Sequence, residues 1–401
     1  MSNANNKKIV NNYQNNKLLD NIIIKFFPDI KKKPVFLKIY NFITKSLNKK
    51  NSQKIKSIII NYEELILKPY INSNINTNKI LIHNSIGSGG FGNVYKTSNS
   101  KILLKIIKQG NSKDKDNKDR EFKSLIFHYL LYKYYEKNEN IKYLCKLHEF
   151  GIIEKNKWYA FMENCGLDLI HKLNNINIDF DTLLKIFYEC CKALKIIHDL
   201  EYLHLDIKPE NFLMKDDQIK IIDFGMVKKN KFITKYSFGT MNYIPNDWLK
   251  NSEENKNTTL EYHHDIFSLG CMFIILLYTF IIKKSILMVC PLVIPIKDIP
   301  KIDESQIYKY RKEYDINQFN SMCNTIKKKL NKDINRKTNK GKIRKITNIF
   351  LLNLIKMMVH PNPEERCNNV NKIIEYLDFI FANNKRINNN TNNTIINNNN
   401  I

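Results

Sequence analysis

Three glycines near residue 90 have the spacing of a phosphate-binding loop. The segment 86–94 reads Ile-Gly-Ser-Gly-Gly-Phe-Gly-Asn-Val, so that Gly87, Gly89 and Gly92 form a G-x-G-x-x-G pattern. Glycine lets backbone amides approach phosphate oxygens without an intervening Cβ, and it adopts the positive φ that a tight turn can require. A dinucleotide fold would need a helix directly after the third glycine. Here the pattern continues as strand, turn and strand to residue 107, which argues against that fold.

Lys105 is a charged residue inside the apolar strand pattern 102–107. A buried lysine is costly unless an acid pairs with it. Glu121, at the start of a helical pattern, is the candidate partner, and the alternative is a surface lysine beside a surface glutamate. Lys108 is a second candidate, but it leaves less chain for the polar turn that precedes Glu121.

A second polar cluster follows a long predicted helix. The segment 202–211 reads Tyr-Leu-His-Leu-Asp-Ile-Lys-Pro-Glu-Asn, and Asp-Phe-Gly follows at 223–225 after a short apolar strand pattern. Chemical sites usually lie in loops beside the ends of such elements. The residues placed there are Asp206, Lys208, Asn211 and Asp223. Because Lys208 lies two residues after Asp206, its charge favours the ionised form of that carboxylate.

These motifs, in this order, make the chain resemble eukaryotic-type protein kinases of the serine/threonine branch. The resemblance covers residues 80–383, and the joint occurrence of the motifs is far more specific than any one of them. It implies an α+β, two-lobed protein-kinase fold, with a small antiparallel sheet and one helix at about 80–162. A hinge at 163–166 and a mainly helical lobe to residue 383 would follow.

The implied activity is transfer of the γ-phosphoryl group of ATP to Ser or Thr hydroxyls of proteins. The residues that would contact ATP through the loop and its strands are Ile86, Gly87, Gly89, Gly92 and Val94. Lys105, held by Glu121, would bind the α- and β-phosphates. Backbone atoms of Glu163 and Cys165 would bind adenine, and Asp168 would approach the ribose.

The resemblance also assigns the metal and the proton transfer. Asp223 and Asn211 would hold Mg²⁺, with Mn²⁺ as an alternative ion. Asp206 would orient the substrate hydroxyl and accept its proton, and Lys208 would offset charge on the transferred group. Thr240, in a segment similar to G-T-x-x-Y, would contact both of these side chains.

One departure from the family pattern bears on regulation. Leu205 stands before Asp206 where many kinases have Arg, and that Arg normally pairs with a phosphorylated activation loop. We therefore predict that activity does not depend on phosphorylation of Thr234, Tyr236 or Ser237.

Two further departures bear on structure. Asn246-Asp247 stands where the family has Pro-Glu, which leaves open whether the acid forms the family's usual ion pair with Arg366. Leu103 stands at a position that is usually Ala, where it would crowd the adenine face.

Composition limits the other classes of function. The 401 residues are 43% hydrophobic and 26% charged, which excludes a wholly disordered chain. The formal net charge is +26, but only six of the 65 basic residues are Arg, the residue that binds phosphate in a bidentate way. We interpret the Lys excess as solvated surface, so nucleic acid is a partner that we do not favour. Eight cysteines without C-x-x-C spacing exclude a dense disulfide scaffold and give no zinc signature.

The remaining segments flank the kinase-like region. The extension 1–79 predicts a disordered Asn- and Lys-rich arm at 1–17, and short basic amphipathic helices from 18 to about 72. Residues 384–401 predict a disordered Asn-rich tail. The apolar segment 266–282 is at the short limit for a membrane span, and we interpret it as a core helix.

The expected partners are protein substrates with Ser or Thr acceptors, and the oligomeric state stays open. No signal-peptide pattern is present, so we expect an intracellular location, in the cytoplasm or nucleus, or inside a host cell for a viral protein. Two alternatives to an active kinase are a catalytically inactive kinase-like scaffold and a basic nucleic-acid-binding protein.

Overall fold

The computed structural model describes nine stretches of the chain. They are residues 56–60, 63–71, 82–89, 92–107, 115–153, 157–175, 179–282, 311–331 and 339–382. The predicted arm at 1–17, the part of the predicted helices before residue 56 and the predicted tail at 384–401 lie outside these residues. The chain divides into two units, Met1–Cys165 with Asp223–Gly225, and Gly166–Ile222 with Met226–Ile401.

The first unit contains a seven-stranded antiparallel sheet and one long helix. The elements in chain order are β1 Lys56–Ile60, β2 Glu63–Ile71, β3 Ile82–Gly89, β4 Gly92–Thr97, β5 Ile102–Ile107, α1 Lys115–Tyr135, β6 Leu147–Ile153 and β7 Lys157–Glu163. The order across the sheet is β1-β2-β6-β7-β5-β4-β3. A short 3₁₀ helix, Glu139–Tyr143, connects α1 toward β6.

Residues 56–71 correct the prediction of amphipathic helices in this part of the extension. β1 pairs with β2 from Lys56↔Leu67 to Ile60↔Glu63, and β2 adds to the edge of β6. The run Lys-Ser-Ile-Ile-Ile in β1 is β-branched and too short for periodicity to separate strand from helix. Pairing with β6 therefore determines that these residues form strands, and the sheet of the first unit begins before residue 80.

Alternation along β5 separates a core face from a functional face of this sheet. Leu104 pairs with Tyr95 on one side and Phe161 on the other, and these side chains belong to one buried cluster. Lys105 points to the opposite face because successive side chains of a strand alternate. The apolar cluster thus fixes the register that presents Lys105.

The second unit is mainly helical. Its elements are β8 Leu167–Asp168, α2 Leu169–Asn175, α3 Phe180–His198, β9 Tyr202–Leu203, β10 Phe212–Lys215, β11 Gln218–Ile221, β12 Lys228–Lys229, β13 Phe232–Thr234, α4 Asn246–Glu253, β14 Thr258–Leu260, α5 Tyr262–Ile282, α6 Ile316–Leu330, α7 Asn339–Met358 and α8 at 370–382. Its strands form small antiparallel sheets, β11-β10-β8, β12-β9 and β13-β14.

Helix α5 lies in the core of this unit. Asp179 caps α3 by accepting the Thr182 N–H at 2.8 Å, and Phe187 of α3 stacks on Phe273 of α5 with ring centroids 4.0 Å apart. Among the described residues, α5 is the one helix long and apolar enough to cross a membrane, and 89% of the apolar window Tyr262–Phe280 is buried inside the protein. A core helix has this burial, as the sequence predicts for 266–282.

Candidate active site

The glycine loop joins β3 to β4 in the first unit. The strands pair from Ile82↔Thr97 to Gly89↔Gly92, so Gly87 lies beside Val94. Gly92 has φ of +151°, and a Cβ there would collide with the carbonyl oxygen of Ile106. The third glycine is therefore required by the close approach of β4 to β5.

Lys105 lies in a row of residues on the functional face of the sheet. Val94 on β4 and Ala160 on β7 are its cross-strand neighbours. Leu103 shares this face and pairs with Met162. Glu121 lies in α1, but its side chain is outside the described part of the structure, so the Lys105–Glu121 ion pair stays a prediction.

The two other predicted contacts of the loop strands differ in exposure. Ile86 on β3 is 49% exposed, whereas Val94 is half-buried. Covering an exposed isoleucine with an apolar ring is favourable, so the Ile86 side chain is available for the predicted contact.

The hinge backbone is held by hydrogen bonds within the first unit. The Glu163 N–H donates to Lys146 O at 2.9 Å, and the Lys146 N–H donates to Glu163 Oε2 at 3.0 Å. The Asn164 N–H donates to Lys101 O at 2.8 Å. Cys165, the next residue, is buried and ends the first unit.

The segment 223–225 belongs to the first unit. Phe224 is buried, and its ring contacts Phe127 and His128 of α1 with centroids 5.5 and 5.0 Å away. Asp223 has φ of +64°, and its Oδ1 accepts the Gly225 N–H at 3.3 Å. Such a backbone costs about 1–2 kcal/mol in a residue with a side chain, so its surroundings must stabilise it.

Asp206 of the second unit is surrounded by hydrogen-bond donors. Its Oδ1 accepts the Thr240 hydroxyl at 2.7 Å and the Thr240 N–H at 2.9 Å. Its Oδ2 lies 2.9 Å from Lys208 Nζ and accepts Asn211 Nδ2 at 3.1 Å. Burial alone would raise the pKa of Asp206, but the Lys208 ammonium and the Thr240 hydroxyl hold it below its ordinary value. The carboxylate is therefore ionised at neutral pH.

Lys208, Thr240 and Asp206 form a closed set of contacts. Lys208 Nζ donates to Thr240 Oγ1 at 2.8 Å while that hydroxyl donates to Asp206. Thr240 thus makes the contacts that the resemblance implies, and it fixes the lysine relative to the carboxylate.

The loop before Asp206 rests on a buried carboxylate. Asp265 of α5 accepts the N–H groups of His204 and Leu205, each at 2.7 Å, and His198 Nε2 at 2.9 Å. Burial alone would raise the pKa of Asp265, but these hydrogen bonds keep it lower than usual. From the sequence, no role is assigned to Asp265 or His198, and only the apolar segment 266–282 that follows Asp265 points to this helix.

The predicted metal ligands are oxygen donors in both units. Asn211 is 4% exposed and donates through Nδ2 to Asp206 O at 2.7 Å and to Asp206 Oδ2, so its amide oxygen is directed away from this carboxylate. Asp223 contributes a half-buried carboxylate. Amide and carboxylate oxygens suit Mg²⁺, which takes few protein ligands besides water and phosphate, so both residues fit such an ion.

Asp168 lies at the start of the second unit. It pairs with Leu213 in the β8–β10 sheet, and its carboxylate accepts the His171 N–H at 3.0 Å and lies 2.6 Å from His171 Nδ1. The residue therefore caps α2, besides any contact with a ribose.

Asp247 and Arg366 form an ion pair, with Asp247 Oδ1 2.7 Å from Arg366 Nη2. The same guanidinium nitrogen donates to Asn246 Oδ1 at 3.0 Å, and Asn246 Nδ2 donates to Tyr314 O. The shorter acid therefore reaches its arginine, and the residue that replaces Pro joins the network.

The chain belongs to the protein kinase family, because residues 80–377 match the protein kinase domain. The prediction of this family and of its two-lobed α+β fold is confirmed. The chain is 29% identical over 208 residues to the dual specificity protein kinase TTK of Mus musculus. It is 32% identical over 206 residues to the mitogen-activated protein kinase KSS1 of Saccharomyces cerevisiae. It is also 27% identical over 199 residues to cyclin-dependent kinase-like 1 of Caenorhabditis elegans.

These matches cover 48%, 47% and 47% of the chain, and 23%, 54% and 52% of the respective relatives. The chain therefore spans at most about half the length of these relatives. The family acts on proteins with a nucleotide as phosphoryl donor, and the relatives include serine/threonine and dual-specificity kinases.

Proposed function

We propose that this protein is an active serine/threonine protein kinase that transfers the γ-phosphoryl group of ATP to protein hydroxyls in a Mg²⁺-dependent reaction. The arrangement around Asp206 carries the proposal. An ionised carboxylate, held by Thr240 and Lys208, has the geometry and the charge of a general base at neutral pH. A kinase-like scaffold without activity would have no need of this set.

Proton removal and charge neutralisation would be divided between two side chains. Asp206 orients the attacking hydroxyl and takes its proton through the carboxylate. Lys208, 2.9 Å from Asp206 Oδ2, supplies a positive charge next to the developing charge on the transferred group. Because Thr240 fixes both side chains, neither must reorganise during transfer.

The first unit would bind the nucleotide. Lys105 lies on the sheet face beside Val94 and Gly87, where its ammonium can meet phosphate oxygens. Backbone groups of Glu163 and Cys165 would bind adenine. Bound Mg²⁺, held by Asp223 and Asn211, would neutralise phosphate charge.

The preference for Ser and Thr over Tyr is part of the proposal. Lys208 supports it, because the resemblance associates a lysine at this position with the serine/threonine branch. The dual-specificity relatives make Tyr phosphorylation the alternative outcome. An intracellular location is likewise proposed, on the sequence pattern alone.

The test is phosphate transfer from labelled ATP and Mg²⁺ to a generic protein, followed by phosphoamino-acid analysis. Asp206→Asn, Asp223→Ala and Lys105→Met should each abolish the signal. Asp217→Asn is the matched control, because Asp217 is an exposed aspartate in the turn between β10 and β11. Phosphoserine or phosphothreonine from the wild type and the control is expected. Transfer that survives Asp206→Asn, or no transfer by the wild type, would overturn the proposal and favour the scaffold.

A further inference from the structure

Two buried thiols converge on one backbone oxygen of the hinge. Cys145, just before β6, directs Sγ to Glu163 O at 3.4 Å, and Cys165 directs Sγ to the same oxygen at 3.5 Å. Each cysteine is 1% exposed, and the two sulfur atoms lie within 4.8 Å of each other. Both belong to the first unit, although they are twenty residues apart in sequence.

The surroundings favour sulfur–sulfur chemistry over metal binding. Each sulfur atom lies within hydrogen-bond distance of the same carbonyl oxygen, whereas a metal would need both sulfur atoms as thiolate ligands. Glu163, the one carboxylate of the cluster, already accepts the Lys146 N–H through Oε2. Because the sulfur atoms lie within 4.8 Å of each other, an S–S bond of about 2.0 Å requires them to approach by less than about 3 Å.

We propose that Cys145 and Cys165 form a reversible disulfide when peroxide is present, and that this disulfide weakens nucleotide binding. Peroxide oxidises one thiol to a sulfenic acid and releases one water. The second thiol then attacks this sulfur and displaces hydroxide, which leaves as water with the thiol proton. In total, two thiols lose two hydrogens and hydrogen peroxide becomes two waters. A dithiol reverses the reaction, as is typical of disulfides in a reducing compartment.

The link would act on the backbone that carries Cys165. Formation of the disulfide removes both S–H hydrogen bonds to Glu163 O. It also moves the Cys165 side chain toward Cys145, in the segment before β6. This step rests on the proposed function, in which backbone groups of Glu163 and Cys165 bind adenine.

Cys145 is also connected to α1 and to Phe224. Its carbonyl oxygen lies 2.6 Å from His128 Nε2, and the His128 ring packs on Phe224. A shift of Cys145 on oxidation would therefore be transmitted through His128 to α1, which contains Glu121, and to the segment that contains Asp223.

The experiment treats the full chain with hydrogen peroxide, maps peptides without reduction and measures affinity for a non-hydrolysable ATP analogue with Mg²⁺. Cys145→Ala removes the link together with one S–H donor to Glu163 O, so its affinity is compared with its own value before peroxide. Cys145→Ser is used if the alanine variant is unstable. Cys323→Ala, a buried cysteine in α6 of the second unit, is the matched control.

A peptide pair joined at Cys145 and Cys165, two hydrogens lighter than the separate peptides, should form in the wild type and in Cys323→Ala. The dissociation constant of the analogue should rise about tenfold in both, return after dithiothreitol and stay unchanged in Cys145→Ala. Absence of the linked pair overturns the disulfide, and a linked protein with unchanged affinity overturns its effect. Peptide mapping does not depend on kinase activity, so failure of the proposed function is recognised separately when reduced wild type binds no analogue.

Discussion

Asp265 Oδ1 accepts a hydrogen bond of 2.7 Å from the backbone N–H of Leu205, whose φ is +62°. A left-handed backbone in a leucine costs about 1–2 kcal/mol, so the conformation needs support from its surroundings. The fully buried carboxylate of Asp265 supplies that support and also binds the N–H of His204. The position of Asp206, the next residue, therefore depends on a side chain from α5.

Asp265→Asn should damage both stability and activity. The amide has one acceptor oxygen, so its NH₂ group must face a buried donor from His204, Leu205 or His198. Such an unsatisfied donor costs about 2–3 kcal/mol, and we expect the free energy of unfolding in urea to fall by that amount. Phosphate transfer should fall more than tenfold.

The control for this variant is Asp199→Asn. Asp199 forms an exposed ion pair with Lys195 at 2.5 Å, and such pairs contribute at most about 1 kcal/mol. Equal effects of the two substitutions on unfolding and on transfer would contradict the role of Asp265.

Thr240→Val should lower the rate of transfer at saturating ATP by about tenfold, a loss that corresponds to about 1.4 kcal/mol. Valine has nearly the same shape but loses the hydroxyl bonds to Asp206 and Lys208, while the backbone bond to Asp206 remains. Thr240→Ser keeps the hydroxyl and should retain most of the activity. Steady-state assays of the purified variants test this, and equal rates for the valine and serine variants would exclude a role of the hydroxyl.

Transfer should persist when the activation loop carries no phosphate. Leu205, where many kinases have Arg, is 5% exposed and packs in an apolar cluster with Trp248 and with the loop residue Phe238. Pairing of β13 with β14, such as Ile233↔Thr259, also holds the loop. At the position where many kinases have Arg, Leu205 therefore makes apolar contacts with the loop.

The variant Thr234→Ala/Tyr236→Phe/Ser237→Ala should keep at least about half of the wild-type rate, since the loop is held without phosphate. A twofold change in rate corresponds to less than about 0.5 kcal/mol in the activation barrier. Leu205→Ala should lose about 2–4 kcal/mol of unfolding free energy and most activity, since it empties part of the cluster. Rates are measured before and after phosphatase treatment. Activity that phosphatase removes and rephosphorylation restores would refute the prediction.

The sequence predicts the local motifs well because backbone constraints define them. The strand 102–107, the core helix after Asp265 and the contact of Thr240 with Asp206 all follow from apolar spacing or from motif resemblance. The strands β1 and β2 could not be predicted in this way. A short β-branched run forms a strand only when it can pair with the edge of a sheet, as β2 pairs with β6.

Polar contacts between residues that are far apart in sequence could not be predicted either. Asn246 looked like the loss of a motif proline, yet it bridges Arg366 and Tyr314, which lie far along the chain. The convergence of Cys145 and Cys165 likewise arises only when β6 and the hinge lie side by side. Spacing along one sequence does not report such contacts.

His264 should make stability depend on pH in the weakly acidic range. Its side chain is 2% exposed, and burial, with the neighbouring His263 as second cause, lowers its pKa to about 3. Asp247 opposes this shift, Arg366 adds to it, and His264 Nδ1 lies 3.1 Å from the Glu261 backbone. The unfolded chain therefore takes up a proton below about pH 6.5, where the native protein does not.

Stability from His264 is complete above about pH 6.5 and is lost as pH falls toward 3, at up to about 1.4 kcal/mol per pH unit. Asp247, whose pKa is lowered by Arg366 against the effect of burial, adds loss only below about pH 4, so urea unfolding is compared between pH 6 and 4.5. His264→Gln should flatten the slope, and the remainder should include His263, whose pKa burial also lowers. His83→Gln, a substitution of an exposed histidine in β3, is measured as the control. Identical slopes for wild type and His264→Gln between about pH 6 and 4.5 would contradict this prediction. They would show that His264 takes up its proton in the native protein as it does in the unfolded chain.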